Sequence, residues 1–276
     1  MPELIIDDES TAGGKLDHVL MAERRGLVPR DYSVHPVGYL GELCPPMRAV
    51  DMPLIPRSDW SAIIKEMEET KSRLSDVRRI AGPNGTRYPS LGQNGQGFCW
   101  AYSTGAAITI LRAKANLPYK RLSPHGVACK IKGFRDEGGW GALSLEFAIK
   151  NGYPSVEDWP EKSMSRQYDN PTTWANAEAN KITEQWMDVE PPVYDRDLTF
   201  EQVMTCLLSR IPVVGDFNWW GHSVCLLDPV EVEPGSFGVR IINSWEDSWG
   251  DKGESVLRGS KAIPDGATAP RFVTAA

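Results

Sequence analysis

QNGQGFCWAYS, residues 93–103, places a cysteine between a glycine-rich turn and a run of apolar and small residues. Gln93 stands six positions ahead of Cys99. Two readings compete. A cysteine that opens an apolar helix is in most proteins a small buried hydrophobe. A cysteine at a helix N-terminus is also where the backbone dipole favours an anion, so a thiolate nucleophile fits there, with the Gln93 amide able to reach back as a donor. The stretch CWAYSTGAAITILRAKA reads as a helix that is apolar almost all round as far as Arg112, hence a buried one.

Deciding between the readings requires partners elsewhere. A thiol nucleophile needs a base, a group that orients the base, and a donor for the oxyanion. The chain has four histidines, and His222 opens the β-like run HSVCLLDPVEV. Asn243 follows the run GVRII, which the turn EPGSFG returns alongside the first, so antiparallel pairing brings the two together. Singly, His222 reads as a core histidine and Asn243 as a turn residue; together with Gln93 and Cys99 they form a catalytic set.

These blocks resemble the papain-like cysteine proteases (peptidase family C1). The nucleophile block appears as Gln93-Asn-Gly-Gln-Gly-Phe-Cys99-Trp-Ala-Tyr-Ser, the histidine block as His222-Ser-Val, and the third block as Asn243-Ser-Trp-Glu-Asp-Ser-Trp249-Gly-Asp-Lys-Gly253. IPRSDW, from Ile55, is similar to the start of the mature family enzyme, so the likeness covers about residues 55–258. The resemblance implies an α+β fold, a helical half and an antiparallel β half with the cleft between them. It implies a thiol endopeptidase in which Cys99 attacks the scissile carbonyl. His222 then serves as base and acid, Asn243 orients the imidazole, and Gln93 with the Cys99 N–H holds the oxyanion. Gly138 and Gly139 would offer backbone groups to an extended peptide. Trp140 and Trp220 would wall a side-chain pocket, and Trp245 would shield the Asn–His hydrogen bond. The Cys99 thiol is expected to have a lowered pKa.

The family's disulfide cysteine ahead of the nucleophile is Gln96 here, and Phe98 stands where a small serine is usual, which would narrow the cleft mouth. The alternative reading is a papain-like structural or assembly module, such as a virus or phage particle component, with little or no protease activity.

The rest of the chain sets limits. At 276 residues with 41% hydrophobic and 24% charged residues, it is an ordinary globular composition. The net charge of −7 argues against a nucleic-acid partner. No apolar run spans a membrane, and the acidic start MPELIIDDES is no secretory signal, so a cytoplasmic or virion-associated protein is expected. Five widely spaced cysteines, Cys44, Cys99, Cys129, Cys206 and Cys225, suggest reduced thiols, and no metal or other cofactor is expected. The expected partner is a peptide or protein substrate. SDWSAIIKEMEETKSRLSDVRRI has helical apolar spacing and predicts an inserted amphipathic helix over about 59–80. ALSLEFAIKNG predicts another helix, and a capping box at Thr199 and Gln202 a third. Helices gather in the first half of the chain and strands in the second. Residues 1–54 form an arm rich in glycine and proline, preceding a domain at 55–276. Its apolar residues, among them Tyr32, Val34, Val37, Tyr39 and Leu40, are too many for a solvated tail. The arm is expected to dock at or near the cleft, or to reach a neighbouring subunit in an assembly.

Overall fold

The computed structural model describes residues 3–21, 25–37, 39–40, 47–48, 52–183, 185–189 and 194–273. Cys44 lies outside them, as do the side chains of Tyr39 and Leu40.

The helix that begins at Cys99 is the axis of the molecule. This helix, α5 (Cys99–Lys114), buries every residue from Cys99 to Arg112, as its all-round apolar sequence requires. On one side it meets α6 (Pro124–Ile131) and α7 (Gly141–Asn151), with α8 (Pro171–Ala177) beyond. On the other side it lies on the main sheet, chiefly β6 (His222–Glu233) and β5 (Val213–Phe217). That sheet continues through β7 (Ser236–Ile242) and β8 (Glu254–Arg258) on one flank and β9 (Gly266–Pro270) and β4 (Trp186–Asp188) on the other. All these pairings are antiparallel; β1 (Ile5–Ile6) adds itself to β8 in parallel, so the first residues of the arm belong to the sheet. The arm also contains α1 (Asp8–Thr11), α2 (Asp17–Leu20) and a ribbon of β2 (Tyr39–Leu40) with β3 (Met47–Arg48). The fold is thus α+β, a helical half against a β half, as the sequence implies. Among the described residues no helix is long and apolar enough to cross a membrane.

Three elements differ from expectation. The segment 59–80 is two helices, α3 (Trp60–Glu69) and α4 (Leu74–Arg78), because Lys71 takes a left-handed φ of 53° between them. Trp60, Ile64 and Met67 of α3 still face the core, so the apolar spacing holds within the first piece. Helix α9 (Arg196–Leu208) starts earlier than Thr199: Asp195 caps it by accepting from the Leu198 N–H at 2.9 Å, which leaves Thr199 and Gln202 inside the helix. In the arm, α1 is a short helix that the sequence reading does not include.

The insertion is fastened by Arg78, a guanidinium only 1% exposed. It donates to Tyr88 O at 3.0 Å and Lys252 O at 2.7 Å and pairs with Glu254 of β8. Removing one partner of a buried ion pair costs about 3–5 kcal/mol, because the other charge stays desolvated. Arg240, 3.7 Å from Glu254, softens that loss. Arg78→Ala is therefore expected to lower stability by about 3 kcal/mol, read as a lower urea midpoint with an unchanged slope.

Candidate active site

Cys99 is the first residue of α5, at the seam between the two halves, and is fully buried. His222 is the first residue of β6. A four-residue turn, with Gly221 at φ 64°, reverses the chain so that Phe217 and His222 pair across β5 and β6. Asn243 follows β7 directly and is held by its N–H to Gly253 O at 2.8 Å. The imidazole Nε2 of His222 lies 2.7 Å from Asn243 Oδ1, which also accepts from the Ser244 N–H at 2.7 Å. An oxygen acting as acceptor to a backbone amide fixes the amide's orientation, so the proton of this bond sits on His222 Nε2. Nδ1 is then the unprotonated nitrogen, and it has no hydrogen-bond partner among the described residues. This is the tautomer that a general base needs.

Indoles surround the pair. The rings of Trp245 and Trp220 lie 4.6 Å and 4.8 Å from the His222 ring, both buried. Gln93 is also buried. Its Oε1 accepts from Ser244 Oγ at 2.6 Å and its Nε2 donates to Gln96 O at 2.6 Å, so the nucleophile loop is tied to the asparagine loop. The Gln96 side chain donates to His125 Nε2 at 3.1 Å and to Gln93 O at 2.8 Å, and His125 Nδ1 meets Tyr102 OH at 2.6 Å. A polar network thus stands where the resemblance would put a disulfide. Cys129 is a buried free thiol. Phe98 is fully buried with its ring against His125, centroids 5.2 Å apart, so it points into the helical half and does not narrow the mouth.

What fills the cleft is the arm. Val28 N–H donates to Gly139 O and Gly139 N–H donates to Gly26 O, both at 2.9 Å, and Leu27 N–H reaches Gly221 O at 3.1 Å. Gly26 crosses so close to Gly97 that a Cβ on it would lie 2.1 Å from the Gly97 carbonyl oxygen. Around this crossing, Arg25 donates to Trp220 O (2.9 Å) and His35 packs on Trp140 (5.1 Å). Trp220 Nε1 and Trp249 Nε1 hold the backbone of α2 through Leu20 O and Val19 O. Gly139 therefore offers both backbone groups to an extended segment, and that segment is the chain's own. Gly138 lies under Gly26, with no room for a side chain. Trp140 edges the strand-like contact, whereas Trp220 packs behind His222 and beneath α2.

Burial sets the electrostatics. Burial pushes the Cys99 thiol up to about 12, although the backbone of Ser223, Gly26 and Trp100 favours the thiolate. Burial likewise holds His222 down to about 4 against the pull of Asn243, with Arg25 adding repulsion. The expected lowered thiol pKa is reversed with the arm in place: burial disfavours both charged forms, the thiolate and the imidazolium. Below its pKa a thiol gains about tenfold in thiolate per pH unit. Alkylation of Cys99 in the intact chain is accordingly expected to be slow at pH 7 and to rise steadily into the alkaline range. Rapid labelling at pH 5, mapped by mass spectrometry, would contradict it.

One polar residue beside the nucleophile has no counterpart in the sequence reading. Asp216 of β5 accepts from the Gly141 N–H at 2.9 Å. Burial pushes its carboxyl up to about 6, against the pull of Ser223, Gly141 and Arg30. Its one warning in the sequence is a charge inside the apolar run PVVGDF.

The same architecture occurs in solved cysteine proteases. Xylellain, a cysteine protease from Xylella fastidiosa, superposes with a TM-score of 0.61 at 15% identity, covering 91% of this chain and 97% of that one. Digestive procathepsin L2 from Tenebrio molitor larval midgut gives 0.61 at 15% identity, covering 98% of this chain and 84% of that one. Bromelain from Ananas comosus, solved with the inhibitor E64, gives 0.50 at 20% identity over 67% and 94%. No protein-family model matches the sequence, and no curated protein does. The chain has the papain-like cysteine protease fold.

Proposed function

We propose that the chain is a thiol endopeptidase held latent by its own arm. The observation that carries the reading is the His222–Asn243 pair at the start of β6, with Nδ1 left bare, and a cysteine at the buried N-terminus of α5, the helix that packs on β6, on a fold shared with cysteine proteases. In this reading His222 Nδ1 takes the Cys99 proton as sulfur attacks the carbonyl, and later returns it to the leaving amine. Asn243 keeps the ring in its working tautomer. The Cys99 N–H and the Gln93 side-chain amide receive the oxyanion. Gly139 binds substrate backbone through the groups that now bind Gly26 and Val28. The assembly-module reading has no use for a correctly protonated imidazole, and no observation favours it. The test is intact mass after incubation with an irreversible thiol-reactive peptide inhibitor, alongside hydrolysis of unfolded protein substrate. One adduct on Cys99 with substrate cleavage is expected; neither, in a folded chain whose arm has been displaced, would overturn the reading.

A further inference from the structure

Beneath the arm, the sheet presents a polar recess that catalysis does not use. Strand β9 runs between β4 and β5, with Thr268 paired to both Asp188 and Val214, and Gly266 paired to Asp216. Residues paired across strands, and residues two apart along one strand, share a face. Asp188, Thr268 and Asp216 therefore stand on one face, the face on which Val214 meets Gly141 of the helical half. Gly266 leaves a gap among them: a Cβ there would meet Asp216 and the Tyr32 hydroxyl, each at 3.4 Å.

The recess is under-satisfied for a protein interior. Asp216 Oδ1 and Thr268 Oγ1 are both buried with no hydrogen-bond partner of normal geometry among the described residues. Buried polar atoms are nearly always paired, so these two keep capacity for a further hydrogen bond. Into this region the arm sends Arg30. Its guanidinium grips Asp188 with both terminal nitrogens, at 3.2 Å to Oδ1 and 3.0 Å to Oδ2, and both side chains are almost wholly buried. Nε donates to His35 O and Nη2 to Pro36 O, both at 2.8 Å. Arg30 also acts on Asp216 through its charge. Arg30 stands only two residues beyond Val28, which is bound to Gly139.

We infer that this recess is a basic-side-chain subsite: Arg30 occupies it in the latent chain, and a guanidinium or ammonium group of the substrate occupies it once the arm leaves. The inference rests on the protease reading for its second half and on the recess alone for its first. Departure of the arm takes the bidentate guanidinium from Asp188 and leaves Asp188, Asp216 and Thr268 together on the same face of the sheet. An incoming planar cation with several donors matches that set, as bidentate arginine–carboxylate recognition does generally. A substrate lying on Gly139 as the arm does would bring a nearby side chain to the same place.

Two measurements at pH 7.5 separate the halves. First, in full-length Arg30→Ala, ethylguanidinium is added and thermal stability is read, with uncharged ethylurea as the control. A rise in the melting midpoint that Asp188→Asn abolishes is expected; no rise overturns the recess as a cation site. Second, in full-length Gly26→Val, Cys99 is labelled with thiol-reactive peptide probes that differ only in one residue, arginine or norleucine, scanned along the probe. Each rate is normalised to that of iodoacetamide in the same variant. The arginine probe is expected to be about 10–100-fold faster at one position, and Asp216→Asn should collapse that ratio. Rescue without any preference would overturn the substrate half and leave an arm anchor. Rescue with iodoacetamide labelling but no reaction of either probe would instead count against the protease reading.

Discussion

Cys99→Ala is expected to bring hydrolysis of any peptide that the wild-type chain cleaves down to the rate without enzyme. No other described group is placed to substitute: Cys129, Cys206 and Cys225 are buried free thiols, each with burial pushing its pKa up, and none adjoins His222. His222→Ala should come close to the same loss, because it removes both the base that takes the thiol proton and the acid that returns it to the leaving amine. Asn243→Ala should cost less, since the ring would remain but lose its fixed tautomer. Gln93→Ala should cost about 10²–10³ in kcat, the usual loss for one oxyanion donor. Gln93 also ties Ser244 to Gln96, so its kcat effect has to be separated from loosening of the loops. A Gln93→Glu variant keeps the side-chain oxygen that Ser244 uses but places an acceptor at the oxyanion. If it were as active as wild type, the donor assignment would be wrong. The gradation is read from kcat and KM on one substrate, with melting midpoints as the control for folding.

The parts of this site that were legible in the sequence are those that local pattern encodes. An apolar run with no polar face can only be a buried helix, and α5 is one. The runs at β6 and β7 are rich in Val, Ile and Leu and are strands where expected. The hairpin from His222 to Asn243 followed from two such runs and a turn. Strands β4 and β9 were not legible. WMD is too short to show a period, and GATAP consists largely of residues that disfavour strands; both exist because the sheet supplies neighbours to pair with. The break between α3 and α4 was hidden because Lys71 is not a residue that usually takes a positive φ. The cap of α9 is Asp195 and not Thr199, and an aspartate three residues ahead of Leu198 is the stronger capping signal of the two. The arm was expected to dock, but not how. Gly26 matters through its closeness to Gly97, more than seventy residues away in sequence, and no composition reports that.

That closeness makes a sharp test. Gly26→Val is expected to lift the arm from the cleft and speed Cys99 alkylation by about 10² or more. The introduced Cβ would sit 2.1–2.3 Å from the carbonyl oxygen, carbon and Cα of Gly97. Those are backbone atoms at the turn into α5, so no rotamer change relieves the clash. Ordinary overpacking costs about 1–3 kcal/mol, and a contact between two backbones lies at or above the upper end. About 1.4 kcal/mol is tenfold in an equilibrium constant, so the docked state should lose about two orders of magnitude against the lifted one. The chemistry then amplifies the effect. With the arm gone, water reaches Cys99 and His222, the desolvation that holds the thiol up and the imidazole down is relieved, and the helix N-terminus again favours the thiolate. The pH profile of labelling should therefore change shape, with reaction extending to neutral and mildly acidic pH instead of climbing only in the alkaline range. Gly138 offers a second route to the same state, since a Cβ there would lie 2.5 Å from Gly26 O. Gly138→Ala belongs to the body, so agreement between the two variants would separate arm release from damage to the arm itself. Melting midpoints and far-UV spectra show whether the body stays folded. If both variants keep their fold and label no faster than wild type, the arm does not cover the nucleophile in solution.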